Sequence, residues 1–290
     1  MTIKNLLRSF LLSGFALVAG CRSIYSHKVD VELALDDKLT VMTYNIANAR
    51  GNTTDFFKVH TEDVTKYYLD CIAEQLKMSG ADIVGLNEVD FGSSRSNGIE
   101  EALYLAKKAD FPYVLEDRFF NVSGVLDLGN AILSKFPMHF YHRNKYGKLF
   151  GRLKHTFKAV FYAEIDLPGK KVLFGVTHLS DAPGSKERLE EVHLIREYLK
   201  DKKRSIVVGD FNADPESIEM KYLLFSDIFN VSRNYGMLSY PSDHPRISID
   251  HIVVTKDLMV GDLHSITAED VGYAEPPSDH RNVFADVYWK

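Results

Sequence analysis

Ser205-Ile-Val-Val-Gly-Asp-Phe-Asn-Ala-Asp-Pro215 is the stretch whose reading decides the fold. Residues 205–208 are β-prone and apolar, so they read as a strand, and Asp210 and Asn212 stand where it ends. In an extended segment residues i and i+2 share a face, which points Asp210 and Asn212 one way and Phe211 the other. One can hold or deprotonate a water; the other can donate amide N–H groups to a phosphoryl oxygen. Asp214 reads differently, as a helix cap ahead of Pro215 at a first helical position.

Outward from this stretch the same arrangement recurs. Asn45 follows Val-Met-Thr-Tyr, Glu88 follows Asp-Ile-Val-Gly-Leu-Asn, and His178 follows Val-Leu-Phe-Gly-Val-Thr. Asp250 and His251 interrupt an Ile- and Val-rich run, and Asp279-His280 precedes another. Strands that each deliver a carboxylate, amide or imidazole to their ends are how a rigid sheet builds an active site. A carboxylate such as Glu88 at the end of an apolar run is costly to bury without a cation or partner. Asn45 and Glu88 offer hard oxygen ligands, suited to Mg²⁺ or Mn²⁺, and no Cys/His cluster has zinc spacing. His280 can work on protons near neutral pH, with Asp250 as its natural orienting partner. His178 is a second imidazole able to stabilise phosphate charge. His27, His60, His139, His193 and His264 read as surface or satisfied core residues, and His251 is ambiguous.

Strands are expected over residues 39–46, 81–88, 113–115, 130–134, 158–165, 171–178, 205–208, 247–254 and 282–289. Helices are expected over 61–80, 99–109 and 185–199, and Pro168-Gly169 signals a hairpin. Many strands with several helices and no repeat or Gly-rich phosphate loop suggest sheet packed on sheet, helices outside. The chain has 290 residues, 45% hydrophobic and 26% charged, with no composition break beyond about residue 40, so it reads as one domain. A net charge of −5 and pI of about 6.1 exclude a global pull toward polyanions, though not a locally basic cleft. Two cysteines, Cys21 and Cys71, imply no disulfide framework, and Cys71 reads as a small buried helix residue.

The N-terminus reads as a processing signal. Lys4 and Arg8 precede an apolar stretch over residues 10–19 that is too short to span a bilayer stably. Val18-Ala19-Gly20-Cys21 resembles a bacterial lipobox, in which the cysteine is lipidated; an ordinary secretory signal is the alternative. The expected organisation is signal over 1–21, polar tether over 22–38 and domain over 39–290. Under either reading the protein is exported. With Cys21 lipidated its partner is the bilayer of the cell envelope, at the outer membrane or cell surface in a Gram-negative cell.

Taken together, Val-Met-Thr-Tyr-Asn45-Ile, Asp-Ile-Val-Gly-Leu-Asn-Glu88, Gly129-Asn130-Ala-Ile-Leu-Ser, Thr-His178-Leu, Gly-Asp210-Phe-Asn212, Ile-Asp250-His and Ser-Asp279-His280 occur in that order. This succession resembles the endonuclease/exonuclease/phosphatase (DNase I-like) superfamily. The resemblance implies an α/β fold, a four-layer sandwich of two central mixed β-sheets flanked by helices. It also implies a metal-dependent phosphoesterase. Glu88 would be the main metal ligand, with Asn45 nearby and Asp279 supporting it. Asp210 would position or deprotonate the attacking water, and Asn212 and His178 would stabilise the pentacoordinate phosphorus. Asp250 and His280 would act as a proton-transfer or phosphate-stabilising dyad, and Asn130 would contact substrate. Leu-Asn87-Glu replaces the Leu-Gln-Glu of many members, one methylene shorter in reach.

Residues 139–158 carry Arg143, Lys145, Lys148, Arg152, Lys154 and Lys158 among aromatic residues and no acidic ones. Read as a basic loop, with Arg143 and Arg152 as candidate substrate contacts, the segment suits a nucleic-acid backbone or an anionic membrane. Three functions follow. The first is an exported, membrane-anchored phosphodiesterase, expected to be a monomer, acting on a phospholipid or sphingomyelin headgroup or a small phosphodiester. The second is a nuclease with nucleic acid as partner, and the third an inert binding protein with the same fold.

Overall fold

A computed structural model describes residues 24–28, 38–53, 55, 58–122, 124–145, 159–225 and 228–290. Cys21 and Arg152 lie outside the described residues. One sheet is built from β1 (Ile24–Lys28), β2 (Lys38–Asn45), β3 (Ile83–Asp90), β4 (Tyr113–Val122), β5 (Leu126–Ser134), β12 (Leu258–Val260) and β13 (Val283–Trp289). They pair in the order β1-β4-β5-β3-β2-β13-β12. The other sheet comprises β6 (Met138–Lys145), β7 (Ala159–Leu167), β8 (Lys170–His178), β9 (Ser205–Asp210), β10 (Phe229–Asn230) and β11 (Asp250–Thr255). Its order is β10-β11-β9-β8-β7-β6. Each sheet holds one parallel pair, β2 with β3 and β8 with β9, so both are mixed.

Four helices among the described residues complete the layers. Helices α1 (Glu62–Ser79) and α2 (Glu101–Lys108) cover the first sheet, and α3 (Lys186–Leu199) and α4 (Ile218–Leu224) the second. Glu62 and Asp63 in the first turn of α1 complement its dipole, and Gly80 at φ 65° closes it in the left-handed conformation. Between the sheets lies a core that includes Phe161, Phe174, Ile206, Val208 and Ile83, all fully buried. Each such side chain contributes about 2 kcal/mol by leaving water. Gly85 is required here: a Cβ at that position would stand 2.4 Å from a Val208 methyl of the facing sheet. The four-layer sandwich expected from the sequence is the observed architecture.

The crossovers β2–α1–β3 and β8–α3–β9 explain where chemistry collects. Parallel strands joined by a helix end on the same side, so Asn45 pairs in register with Asn87, and His178 with Asp210. Antiparallel β11 begins at Asp250, opposite Asp210. Gly209, at φ 151°, permits the close approach of β9 to β8, since a Cβ there would overlap the Thr177 carbonyl. The polar ends of five strands thus meet at one edge of the sandwich.

Several local expectations differ from the structure. Ile24–Lys28, within the stretch read as a tether, pairs antiparallel with β4, whose backbone would otherwise be an open edge. The first half of the basic segment is not a loop but β6, an edge strand paired with β7; its alternation was masked by the charges an edge strand tolerates. Asp214 does not cap a helix. Its carboxylate accepts the Glu216 N–H within a turn, and α4 starts two residues beyond, capped by Ser217 on the Met220 N–H.

His251 resolves as a structural residue. It faces away from the cleft, its Nε2 2.7 Å from the Ala213 carbonyl and its Nδ1 buried without a partner. Burial holds its pKa down at about 4, against the Ala213 bond, so the ring is neutral in the fold. Between pH 6.5 and 4 the unfolded chain binds this proton and the folded chain does not. Stability is therefore intact above pH 6.5 and falls by roughly 3 kcal/mol as pH drops to 4. Urea titrations of wild type and His251→Gln at pH 7.5 and 4.5 check this; equal pH slopes for the two would refute it.

Candidate active site

Glu88 is delivered by a β-bulge. The β3–β5 register slips between Leu86 and Val89, and Glu88 adopts φ 53°. A bulge sets two residues against one and re-aims their side chains, here sending Asn87 inward and Glu88 toward the cleft. The Asn87 amide nitrogen donates to Asn130 Oδ1 and to the Thr177 carbonyl, both at 2.9 Å. Its oxygen accepts the Asp210 N–H at 3.0 Å. Asn87 therefore ties both sheets directly beneath the site, at the length this shorter side chain allows.

Around Glu88 the other strand-end residues converge. Asn45 Nδ2 lies 3.3 Å from Glu88 Oε1, 3.1 Å from Asp210 Oδ2 and 3.4 Å from His280 Nε2. Two carboxylates facing this amide fix its orientation, and its oxygen accepts the Ala47 N–H at 3.1 Å. Asp210 Oδ2 is 3.5 Å from His178 Nε2 and 3.7 Å from His280 Nε2. His280 Nδ1 is 2.8 Å from Asp250 Oδ2, the pairing expected from the sequence. Ser278 braces the turn, donating to the Asn45 carbonyl and accepting the His280 N–H.

Asn212 reaches the cleft by a different route from the one expected. The strand ends at Asp210, and Asn212 adopts φ 47°, with its own N–H bonded to Asp210 Oδ1 at 2.8 Å. One amide hydrogen goes to the Leu179 carbonyl, which leaves the second for a substrate oxygen. Glu88, His178, Asp210, Asn212, Asp279 and His280 all line one cavity. Asn130 is fully buried beneath it, its Nδ2 without a partner. Arg143 does not line it; its guanidinium pairs with the fully buried Asp117 carboxylate, a charge that needs a cation.

Arg50 joins the site without a sequence signal. Ala47, Asn48 and Ala49 run left-handed at φ 46–53°, which costs about 1–2 kcal/mol per residue. Asn45 holds this turn at the Ala47 N–H, Asn48 at the Glu88 carbonyl and Arg50 at the Ala47 carbonyl. The turn sets Arg50 Nη2 3.4 Å from Glu88 Oε2.

The electrostatics assign charge states. Burial would raise the Glu88 carboxyl, but His178, Arg50 and His280 override it and hold it down at about 2. Burial would lower His280, but Asp250 and Asp210 outweigh it and push the imidazole up to about 10. Burial raises the Asp279 carboxyl above the usual range, against the pull of His280. Ligand atoms of Asp210, Asp250 and His280 also lie within 4.8 Å of one another. With both ring nitrogens facing carboxylates, that group reads as a proton-holding relay. Glu88 fits a hard cation better. It is ionised, 26% of its side chain is open, and the neighbouring Asp279 is also an oxygen donor.

A profile of the Endonuclease/Exonuclease/phosphatase family matches residues 42–280, which takes in every strand end of the cleft. No curated protein matches the chain. Among solved structures, an endonuclease/exonuclease/phosphatase from Beutenbergia cavernae is similar, at 20% identity over 87% of this chain and 72% of that one, TM-score 0.65. A mannosyl-6-phosphatase of Bacteroides thetaiotaomicron is 16% identical over 87% and 100% of the two chains, TM-score 0.61. The human Nocturnin catalytic domain with bound sulfate is 17% identical over 93% and 98%, TM-score 0.60. At such identities the likeness carries the fold alone. The match over 42–280 carries more: this chain belongs to the endonuclease/exonuclease/phosphatase family, hydrolases acting on phosphoester bonds.

Proposed function

We propose that the chain hydrolyses a phosphodiester by direct attack of water at phosphorus, with a divalent cation held at Glu88. The observation that carries this reading is the convergence of Glu88, Asp210, Asn212, His178 and His280 on one cavity, with Asp250 behind His280. Glu88 would hold Mg²⁺ or Mn²⁺, supported by Asp279 and with Asn45 beside it. Bound there, the cation would neutralise phosphate charge and act as a Lewis acid. Asp210 would position the water and accept its proton, since His280 already carries one. His280, His178 and the free amide hydrogen of Asn212 would donate to the phosphoryl oxygens as charge develops. No covalent intermediate is needed.

In this reading the signal over 1–21 exports the protein and a lipid on Cys21 anchors it at the membrane. That placement favours a phospholipid or sphingomyelin headgroup or a small phosphodiester. The test is hydrolysis by the full chain of duplex and single-stranded DNA, RNA, sphingomyelin, glycerophospholipids, inositol phosphates and bis-4-nitrophenyl phosphate, with Mg²⁺, Mn²⁺ or EDTA. Metal-dependent turnover of a lipid or small ester is expected. Preference for DNA would favour the nuclease, and metal binding without any hydrolysis would favour the inert binding protein.

A further inference from the structure

The cavity above Glu88 has a volume of about 530 Å³, the size of a small-molecule site. Its floor is polar, but two of its walls are not. On one side stand Phe119 and Leu128, both half-buried. Phe119 sits where the β4–β5 register slips between Arg118 and Phe120, and Leu128 shares a face of β5 with Asn130. On the other side stand Tyr240, Ile247 and Ile249. Tyr240 and Ile247 exchange backbone hydrogen bonds of 3.1 Å in both directions, and the Ile249 carbonyl accepts the Phe211 N–H. That ribbon is therefore fixed to the end of β9. The Tyr240 ring centroid is 4.9 Å from that of His280, so the apolar wall begins where the catalytic floor stops.

Ile247 is 40% exposed at this rim. Among the described residues lining the cavity, Arg50 is the sole Lys or Arg, and it is paired with Glu88. A nucleic-acid backbone is held by a run of cations, whereas the described residues of this cavity supply Arg50 alone among Lys and Arg. Hydroxyls of a polyol set against Phe119, Leu128, Ile247 or Ile249 would lose water without compensation, and in these two walls only the Tyr240 hydroxyl could pair with one.

We infer that this site takes a phosphoester whose single phosphate sits between apolar walls, with an aryl or alkyl group esterified to it. Phe119 and Ile247 set that preference. The inference rests on the phosphoesterase reading for turnover, but binding can test it separately.

Turnover is tested with diesters of 4-nitrophenyl phosphate whose second group is phenyl or 2,3-dihydroxypropyl, so that the leaving group is constant. Binding is tested by calorimetry of the full chain with Mg²⁺, using phenylphosphonate against 2-hydroxyethylphosphonate, neither of which can be hydrolysed. The phenyl compound is expected to be favoured about tenfold or more in both kcat/KM and Kd. Phe119→Ser combined with Ile247→Ser should bring both ratios within about twofold of unity, whereas Phe119→Leu should keep them. Unchanged thermal midpoints would show that the fold is intact. Hydrolysis without a phenyl preference overturns the inference and leaves the phosphoesterase reading standing. Phenylphosphonate preference without hydrolysis does the reverse, and ratios unmoved by the double substitution remove Phe119 and Ile247 from the role.

Discussion

Glu88→Gln should lower kcat/KM for metal-dependent phosphoester hydrolysis by about a thousandfold or more, while the protein stays folded. The side chain keeps its volume, so the bulge at Leu86/Val89 and the contact with Asn45 have no steric reason to change. What disappears is a full negative charge in a site that also holds Arg50, His178 and His280. Those three groups keep the carboxyl ionised, and only an ionised carboxylate is a strong ligand for a hard cation. Stability should shift little, because Arg50 also donates to the Ala47 and Thr53 carbonyls. The check is paired: initial rates with saturating Mg²⁺, and Mn²⁺ affinity by calorimetry without substrate. A variant that binds Mn²⁺ as tightly as wild type would move the cation elsewhere. One that turns over at a tenth of the wild-type rate would remove Glu88 from the chemistry.

How far such a site can be read from residues alone depends on which interactions position each one. Asn45, His178, Asp210 and Asp250 sit at ends of apolar runs, and strand pairing brings strand ends together whatever the loops do. Their convergence was therefore legible. Asn212 lines the cleft by another route than the extended i, i+2 rule, which gives way to a left-handed turn that the sequence does not announce. Glu88 depends on a bulge, and a bulge inside Ile-Val-Gly-Leu-Asn-Glu-Val leaves the apolar pattern almost undisturbed. Arg50 follows three left-handed residues of which none is glycine, so the usual signal for that backbone is missing.

Composition misled in one place. Arg143 belonged to a run of basic residues and suggested a substrate contact, but its neighbour across the sheets is Asp117, buried at 0% exposure. A buried carboxylate claims the nearest guanidinium, and that demand is invisible without the packing of β4 against β6. The apolar walls of Phe119, Leu128 and Ile247 were equally silent, because each comes from an element that reads as ordinary core or turn.

The second large effect is expected at the relay behind the phosphate. Asp250→Asn should reduce kcat about a hundredfold and also change the shape of the pH profile. In wild type, burial alone would strip the His280 proton, and Asp250 and Asp210 together restore it up to about pH 10. A cation bound at Glu88 would pull that value down, yet the direction set by two carboxylates remains. The donating form is the protonated ring, so wild-type activity should hold as pH rises through neutrality. In Asp250→Asn the main restoring charge is gone while burial persists, so the ring should release its proton at a lower pH than in wild type. Activity should then fall as pH rises through neutrality, a limb that wild type lacks there. Asp250→Asn and His280→Ala act through one donor, so the double variant should be little worse than the slower single one. Rate profiles from pH 5.5 to 9.5, with imidazole ¹⁵N shifts as a readout independent of turnover, decide it. Superimposable profiles for wild type and Asp250→Asn would mean that Asp250 only packs against His280. A shifted imidazole titration with an unshifted rate profile would mean that the His280 proton is not the one the reaction uses.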